Sequence, residues 1–377
     1  MTTPAFFYGE LQKHGVDFFT GVPDSLLKDF CAYIADTAPQ SSHITAVNEG
    51  AAMALAAGHH LAANRIPLVY MQNSGIGNAV NPLLSLCDTD VYRIPALLLI
   101  GWRGEPGVHD EPQHITQGRL TLPLLETLNI PYLIMENTED KLRSQLDTTF
   151  STLKTRGTPF ALVVRKGTFA PYKTERRGEE PSMSREAAIE EIMLASPDSL
   201  FFSTTGMASR ELYELREKHN MGHDKDFLTV GSMGHASSIA LAAALARPGV
   251  KITCLDGDGA ALMHLGAFAS IGALKPRNMR HIVLNNKAHD SVGGQTVAAP
   301  GADLPAIARA CGYERVICAG SRENLRIALR QEQDERLTFI EARVKRGARA
   351  DLGRPKTSPA ENKTAFMKNF NNITEAL

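Results

Sequence analysis

The stretch Lys251–Asn286, KITCLDGDGAALMHLGAFASIGALKPRNMRHIVLNN, decides the fold. An apolar β-type run, Ile252 to Leu255, stops at Asp256-Gly257-Asp258-Gly259. An Ala-, Leu- and Gly-rich helical segment follows, then a second buried strand, His281 to Leu284, that ends at Asn285-Asn286. This is one βαβ unit with polar residues at the carboxyl ends of both strands, where open parallel sheets bind ligands. Asp258 and Asn286 are therefore expected to face one crevice. A carboxylate and an amide oxygen are hard ligands suited to Mg²⁺, which keeps its other positions for water and diphosphate oxygens. Gly257 and Gly259 let the backbone approach those oxygens, and a helix starting near Ala260 offers them free N–H groups. A lone GDG is more often a tight turn than a site. Its pairing with Asn-Asn one crossover later makes the stretch a Mg-diphosphate clamp. The chain has neither the Gly-Lys-Ser/Thr ending of a P-loop nor a GxGxxG dinucleotide motif.

The same alternation of short apolar runs and helical patterns extends over the whole chain. In the first half the runs are Val16–Thr20, His43–Val47, Leu68–Met71, Ala96–Ile100, Tyr132–Met135 and Ala161–Val164. In the second they are Leu200–Ser203, Phe227–Val230, Ile252–Leu255, His281–Leu284, Arg315–Cys318 and Thr338–Ala342. Apolar runs separated by helices predict parallel sheets covered on both faces. The expected fold is α/β, two doubly wound parallel-sheet domains of like topology, with no middle domain. Their expected bounds are 1–171 and 186–345, with an exposed polar linker at 172–185 and a C-terminal tail, 346–377, that wraps a surface without adding a core element.

Composition narrows the function. Among 377 residues, Lys+Arg 40 balances Asp+Glu 41 for a net charge of −1, so no basic field for nucleic acid or acidic lipid exists. The five cysteines are odd in number and lack CxxC spacing, which reads as reduced thiols rather than disulfides or zinc ligands. No signal-like leader and no run of membrane-spanning length is present, so a soluble cytoplasmic protein is expected.

The loops after the strands carry the unusual residues. Glu49 opens an Ala-rich helix, where complementing the helix dipole is its ordinary role. Gln72-Asn73-Ser74-Gly75 follows the third strand. After the fourth, GWRGEPGVHDEPQH crowds Arg103, His109, Asp110 and His114 into one loop, a spacing that suits proton transfer or anion binding better than zinc. In the second half, Ser203-Thr204-Thr205-Gly206 and Gly231-Ser232-Met233-Gly234 offer hydroxyls and Gly backbone for a second diphosphate wall. Met233 in such a loop, rather than in a core, is unusual.

Together these pieces resemble the thiamin diphosphate-dependent 2-oxo acid decarboxylase family. Gly21-Val22-Pro23-Asp24-Ser25, Gln72 to Pro82, Asp110-Glu111-Pro112-Gln113-His114, Asn286 to Gln295 and Asp351-Leu352-Gly353-Arg354-Pro355 are most similar to members whose substrate is a pyruvate bearing a distal phosphonate. Members acting on the sulfonate analogue share much of this pattern. The resemblance implies thiamin diphosphate and Mg²⁺ as cofactors and a small 2-oxo acid as substrate. It implies a homodimer or higher homo-oligomer with the active site at the subunit interface. It assigns Glu49 to activation of the cofactor's pyrimidine and Met233 to holding the cofactor bent. Asp258, Asn286 and the carbonyl of Ala288 become the metal ligands. Asn73, Thr205, Gly206, Ser232, Gly259 and Ala260 become cofactor contacts, and Asp24, His109 and His114 the proton-handling candidates. Arg103, Arg165 and Lys166 are the cations available for a distal anion. The yeast-type pyruvate decarboxylases carry a Glu shortly after the Asn-Asn pair, and this chain has Ala288-His289-Asp290-Ser291-Val292 there instead. Carboligation with the same cofactor, and a cofactor-binding regulatory protein without turnover, are the competing readings; Glu49 argues against the second.

Overall fold

The computed structural model describes residues 1–174, 181–330 and 336–375, with side chains described as far as residue 370. The chain divides into two compact units, Met1–Arg177 and Gly178–Leu377.

The first unit holds β1 (Phe19–Gly21), β2 (His43–Thr45), β3 (Leu68–Gln72), β4 (Leu97–Gly101), β5 (Tyr132–Ile134) and β6 (Phe160–Val164). They form one six-stranded parallel sheet in the order β2-β1-β3-β4-β6-β5. Helices between the strands cover it on both faces, as a parallel sheet requires. Successive residues of β4 point to opposite faces: Leu97 and Leu99 join a core with Phe7, Phe30 and Phe150, while Leu98 and Ile100 join another with Met53, Met71 and Val163. Each such buried leucine contributes about 1.5–3 kcal/mol.

The second unit holds β7 (Leu200–Ser203), β8 (Asp226–Leu228), β9 (Ile252–Gly257), β10 (Met279–Asn285), a small antiparallel pair β11 (Ala288–His289) and β12 (Gln295–Thr296), then β13 (Arg315–Ala319) and β14 (Thr338–Arg343). Its sheet runs β13-β14-β10-β9-β7-β8. Counting only the six sheet strands of each unit from its own start, both sheets read 2-1-3-4-6-5. The like topology expected from the apolar runs is present, and each expected run lies on an observed strand.

Two expectations need correction. The tail forms a helix, Pro359–Glu375, packed against the edge strand β8. Asn362 accepts from the Leu228 N–H at 3.1 Å and donates to the Asp226 carbonyl at 2.8 Å, giving an edge strand the partners it lacks. Phe366 is buried between Phe202 and Phe227. Of the stretch read as a linker, 175–180 lies outside the described residues. Its flanks are anchored: the Tyr172 N–H donates to Asp29 at 2.9 Å, and Arg185, at the start of a helix capped by Ser184, is buried. Among the described residues no helix is long and apolar enough to cross a membrane.

Candidate active site

In the first unit, residues from separate loops meet beyond the carboxyl ends of β1, β3 and β4. The order β2-β1-β3 makes the gap between β1 and β3 the topological switch point. Asp24, just past β1, is fully buried and accepts from the Gln72 side chain at 2.7 Å and from the Leu26 N–H at 2.8 Å. Burial pushes its pKa up, against those hydrogen bonds and the nearby Arg103 charge. A Cβ on Gly101 would collide with this carboxylate, so glycine at the end of β4 makes room for it.

Glu49 is the first residue of the helix Glu49–Ala63, whose Asn48 cap accepts from the Ala51 N–H at 2.8 Å. Its carboxylate is buried and accepts from the Asn78 side chain at 2.8 Å, and burial raises its pKa. Gly75 lies against it so closely that any side chain there would collide with the carboxylate.

The loop after β4 is more constrained than its sequence suggests. Trp102 Nε1 donates to the Gly118 carbonyl at 2.8 Å. Gly104, at φ 70°, passes so close to His114 and Gly118 that no Cβ fits. Asn73 donates to the Arg103 carbonyl at 2.7 Å and to Thr121 at 2.9 Å, and accepts from the Arg103 N–H at 3.3 Å. Its amide thus ties two loops together instead of reaching into open space. His114 is buried with Nδ1 unpartnered, and burial, followed by the Arg103 charge, pushes it down to about 4. His109 is exposed and has no polar partner among the described residues. Arg103 itself is not available as a free cation: it forks onto Asp110 and donates to Ser25 at 2.8 Å. Arg165 pairs with Glu105 at 2.7 Å, whereas Lys166 is exposed without a partner among the described residues.

The second unit contains a cleft whose walls include Thr204, Thr205, Met233, Gly257 to Ala260, Asn286 and Ala288. β9 continues through Asp256 to Gly257, so Asp258 begins the next helix, Asp258–Met263. Asp258 is buried and its Oδ2 has no partner among the described residues. Burial raises its pKa to about 7, even though backbone N–H groups of Gly259 and Lys287 favour the charged form. A buried oxygen left without a donor, beside an amide oxygen in the same cleft, suits a hard divalent cation. Asn286 accepts from the Ala288 N–H at 3.0 Å through Oδ1, which retains a second lone pair, and donates to Asp290 at 2.6 Å. Lys287 between them adopts a left-handed φ of 57°, which turns the chain sharply at the end of β10. Asn285, the other half of the pair, donates to Glu341 at 2.7 Å and serves the sheet.

Gly206 has φ 91° and ψ −135°, a conformation closed to side chains, at the start of the helix Met207–Lys218. Gly259 admits the His289 ring, whose Cε1 would lie 2.6 Å from a Cβ there. Met233 is half-buried on the cleft wall, while Ser232 beside it is exposed, at φ 53°. Sequence reasoning missed Arg185. Buried on the cleft wall, it donates to Asp290 at 2.6 Å and bidentately to Glu211 at 2.8 and 3.0 Å. In the sequence it is one cation in a charged run, with no local signal of its partners.

Residues 1–122 match the N-terminal TPP binding domain of thiamine pyrophosphate enzymes, and residues 204–342 match their C-terminal TPP binding domain. The chain belongs to the thiamin diphosphate enzymes, and the cofactor bound by that family is thiamin diphosphate. It is 37% identical to the phosphonopyruvate decarboxylase of Streptomyces hygroscopicus over 94% of this chain and 90% of that one. It is 36% identical to the phosphonopyruvate decarboxylase of Streptomyces viridochromogenes, over 92% and 89%. A sulfopyruvate decarboxylase of Methanosarcina acetivorans is more distant, 29% identical over 89% and 90%.

Proposed function

We propose that the protein is a carboxy-lyase that converts 3-phosphonopyruvate to phosphonoacetaldehyde and carbon dioxide with thiamin diphosphate and Mg²⁺, in phosphonate biosynthesis. The observation that carries the reading is the unpartnered buried Asp258 oxygen beside Asn286 in the cleft, in a chain resembling phosphonopyruvate decarboxylases over 94% of its length. In this reading residues 1–171 form the pyrimidine-binding domain and 186–345 the diphosphate-binding domain. Asp258, Asn286 Oδ1 and the Ala288 carbonyl hold Mg²⁺; Thr205, Gly206, Ser232, Gly259 and Ala260 line the diphosphate; and Met233 holds the cofactor bent.

When bound, the cofactor supplies a nucleophilic carbon and an electron sink. Glu49, kept dry and anchored by Asn78, holds the proton needed at the pyrimidine end. Asp24 and His114 divide the remaining proton traffic. Burial shifts Asp24 toward its protonated form and His114 toward its neutral form, which leaves these two side chains to hold or move a proton at the reacting carbon. Asn73 positions the Arg103 loop. All five cysteines are free, which supports a reducing compartment, the cytoplasm. The working assembly is a homodimer or higher homo-oligomer.

The test is parallel assay of purified protein, with both cofactors, for aldehyde from phosphonopyruvate, sulfopyruvate and pyruvate. The expected order of kcat/KM is phosphonopyruvate first, with pyruvate lower by about a hundredfold or more, the discrimination a built polar subsite gives. Pyruvate processed as efficiently would replace this reading with a general decarboxylase, and a preference for sulfopyruvate would move the protein to the sulfonate branch.

A further inference from the structure

Arg103 stands at the centre of the first unit's constellation. Its Nε donates to Asp110 Oδ2 at 2.8 Å, its Nη2 donates to Asp110 Oδ1, and its Nη1 donates to Ser25 at 2.8 Å. Its backbone is held on both sides by the Asn73 amide. Asp110 in turn accepts from the Gly104 and Glu111 N–H groups, both at 2.8 Å. Burial opposes the charge on Asp110, but the guanidinium and these N–H groups hold its pKa well below the usual carboxylate range. The Arg103 side chain therefore joins the loop after β1, through Ser25, to Asp110 just before the helix Pro112–Thr127, while its backbone is tied to the loop after β3 through Asn73. A bidentate guanidinium can be fixed in this way; an ammonium cannot.

We propose that Arg103, clamped by Asp110, is a positioning residue whose side chain assembles Ser25 and the Asp110 loop and sets a fixed positive charge within reach of both Asp24 and His114. It is not the ligand of the substrate's distal anion, because its fork is already filled by a carboxylate. The charged and titratable groups around it are Asp110, Asp24, Glu111 and His114. Its charge stabilises ionised Asp24 and disfavours protonated His114, so its removal moves both groups to higher pH. The proposal deepens the decarboxylase reading and rests on it for the activity arm of the test alone.

The experiment compares wild type, R103K, R103Q and D110N, each saturated with thiamin diphosphate and Mg²⁺. The His114 ring is titrated by NMR, assigned with H114N, and phosphonopyruvate turnover is followed against pH. In R103Q the His114 titration and the acid limb of kcat are expected to move up by about one pH unit, with kcat lower by about tenfold or more. R103K is expected to titrate near wild type but to turn over slowly, because the charge survives and the fork does not. D110N shifts His114 the opposite way, to lower pH, and is informative even where R103Q melts early. KM stays within about threefold in all variants. An unmoved His114 titration in R103Q, an upward shift in D110N, or KM raised about a hundredfold in R103Q with an unchanged pH profile would overturn the proposal. Wild type inactive on phosphonopyruvate would sink the decarboxylase reading and leave the NMR titration to judge Arg103.

Discussion

The two units share a strand order and differ in what stands at equivalent strand ends. After the first strand the first unit has Asp24 and the second has Thr204-Thr205. At the helix that follows the second strand, Glu49 corresponds to the Met233 loop. After the third, Gln72-Asn73 corresponds to Gly257-Asp258, and after the fourth, the Arg103–His114 loop corresponds to Asn286–Asp290. In the first unit nearly every one of these groups is engaged inside the protein: Asp24 with Gln72, Glu49 with Asn78, Arg103 with Asp110. In the second, Asp258 keeps an oxygen without a partner. One frame thus carries a set of groups with displaced proton affinities and also a buried carboxylate oxygen with no partner among the described residues, the feature on which the proposed cation site rests. The sheet places residues; the residue types choose the chemistry.

The largest test of this contrast is Asp258→Ala. If the second unit's strand ends form a cation site, removing the unpartnered carboxylate abolishes Mg-dependent cofactor binding and lowers turnover by about a thousandfold or more. Calorimetric titration with and without Mg²⁺ checks it, and equal cofactor affinity in both conditions would show that the clamp is not there. Glu49→Gln probes the other side. It removes the ionisable carboxyl group without touching a metal ligand and is nearly isosteric, so cofactor binding stays within about tenfold while kcat falls about a hundredfold to ten-thousandfold, the range of general acid–base catalysis. Near-normal turnover in that variant would take Glu49 out of the chemistry and erase the division of labour between the units.

Much of this arrangement was legible in the sequence, and the parts that were not share a cause. A parallel strand buried on both faces is written locally as an apolar run, so each expected run corresponds to a strand. The carboxyl ends ran further than expected, since Asp256 and Asn285 remain in the ladder with polar partners that local pattern does not show. Long-range polar pairing was unreadable. Arg185 and Asp290 are 105 residues apart, and nothing near Arg185 marks it as buried. Arg103 looked like an available cation because the sequence shows a loop crowded with charges and not which of them close on one another. The tail helix escaped because it needs only Asn362 and Phe366 on one face to cover an edge strand.

The smallest expected effect concerns the opposite pH slopes built into the first unit. His114 is pushed below its ordinary value to about 4, so the folded state binds fewer protons than the unfolded one. The stability this group contributes is present above the unfolded value, about 6.5, and is lost as pH falls through its folded value. Asp24 and Glu49 are raised, so their contributions have the other sign, present at acidic pH and lost as pH rises through their folded values. His114→Asn keeps a polar ring-sized amide but cannot gain the proton. Relative to wild type, it should lose less melting temperature between about pH 6.5 and pH 4, by a few degrees. The relief is partial because His289 in the second unit is likewise pushed down to about 4 by burial. Parallel melting curves of the two proteins across that window would mean that His114 titrates normally in the folded state. Asp24 and Glu49 would then be left without an opposing histidine beside them, and the contrast between the units would rest on Asp258 alone.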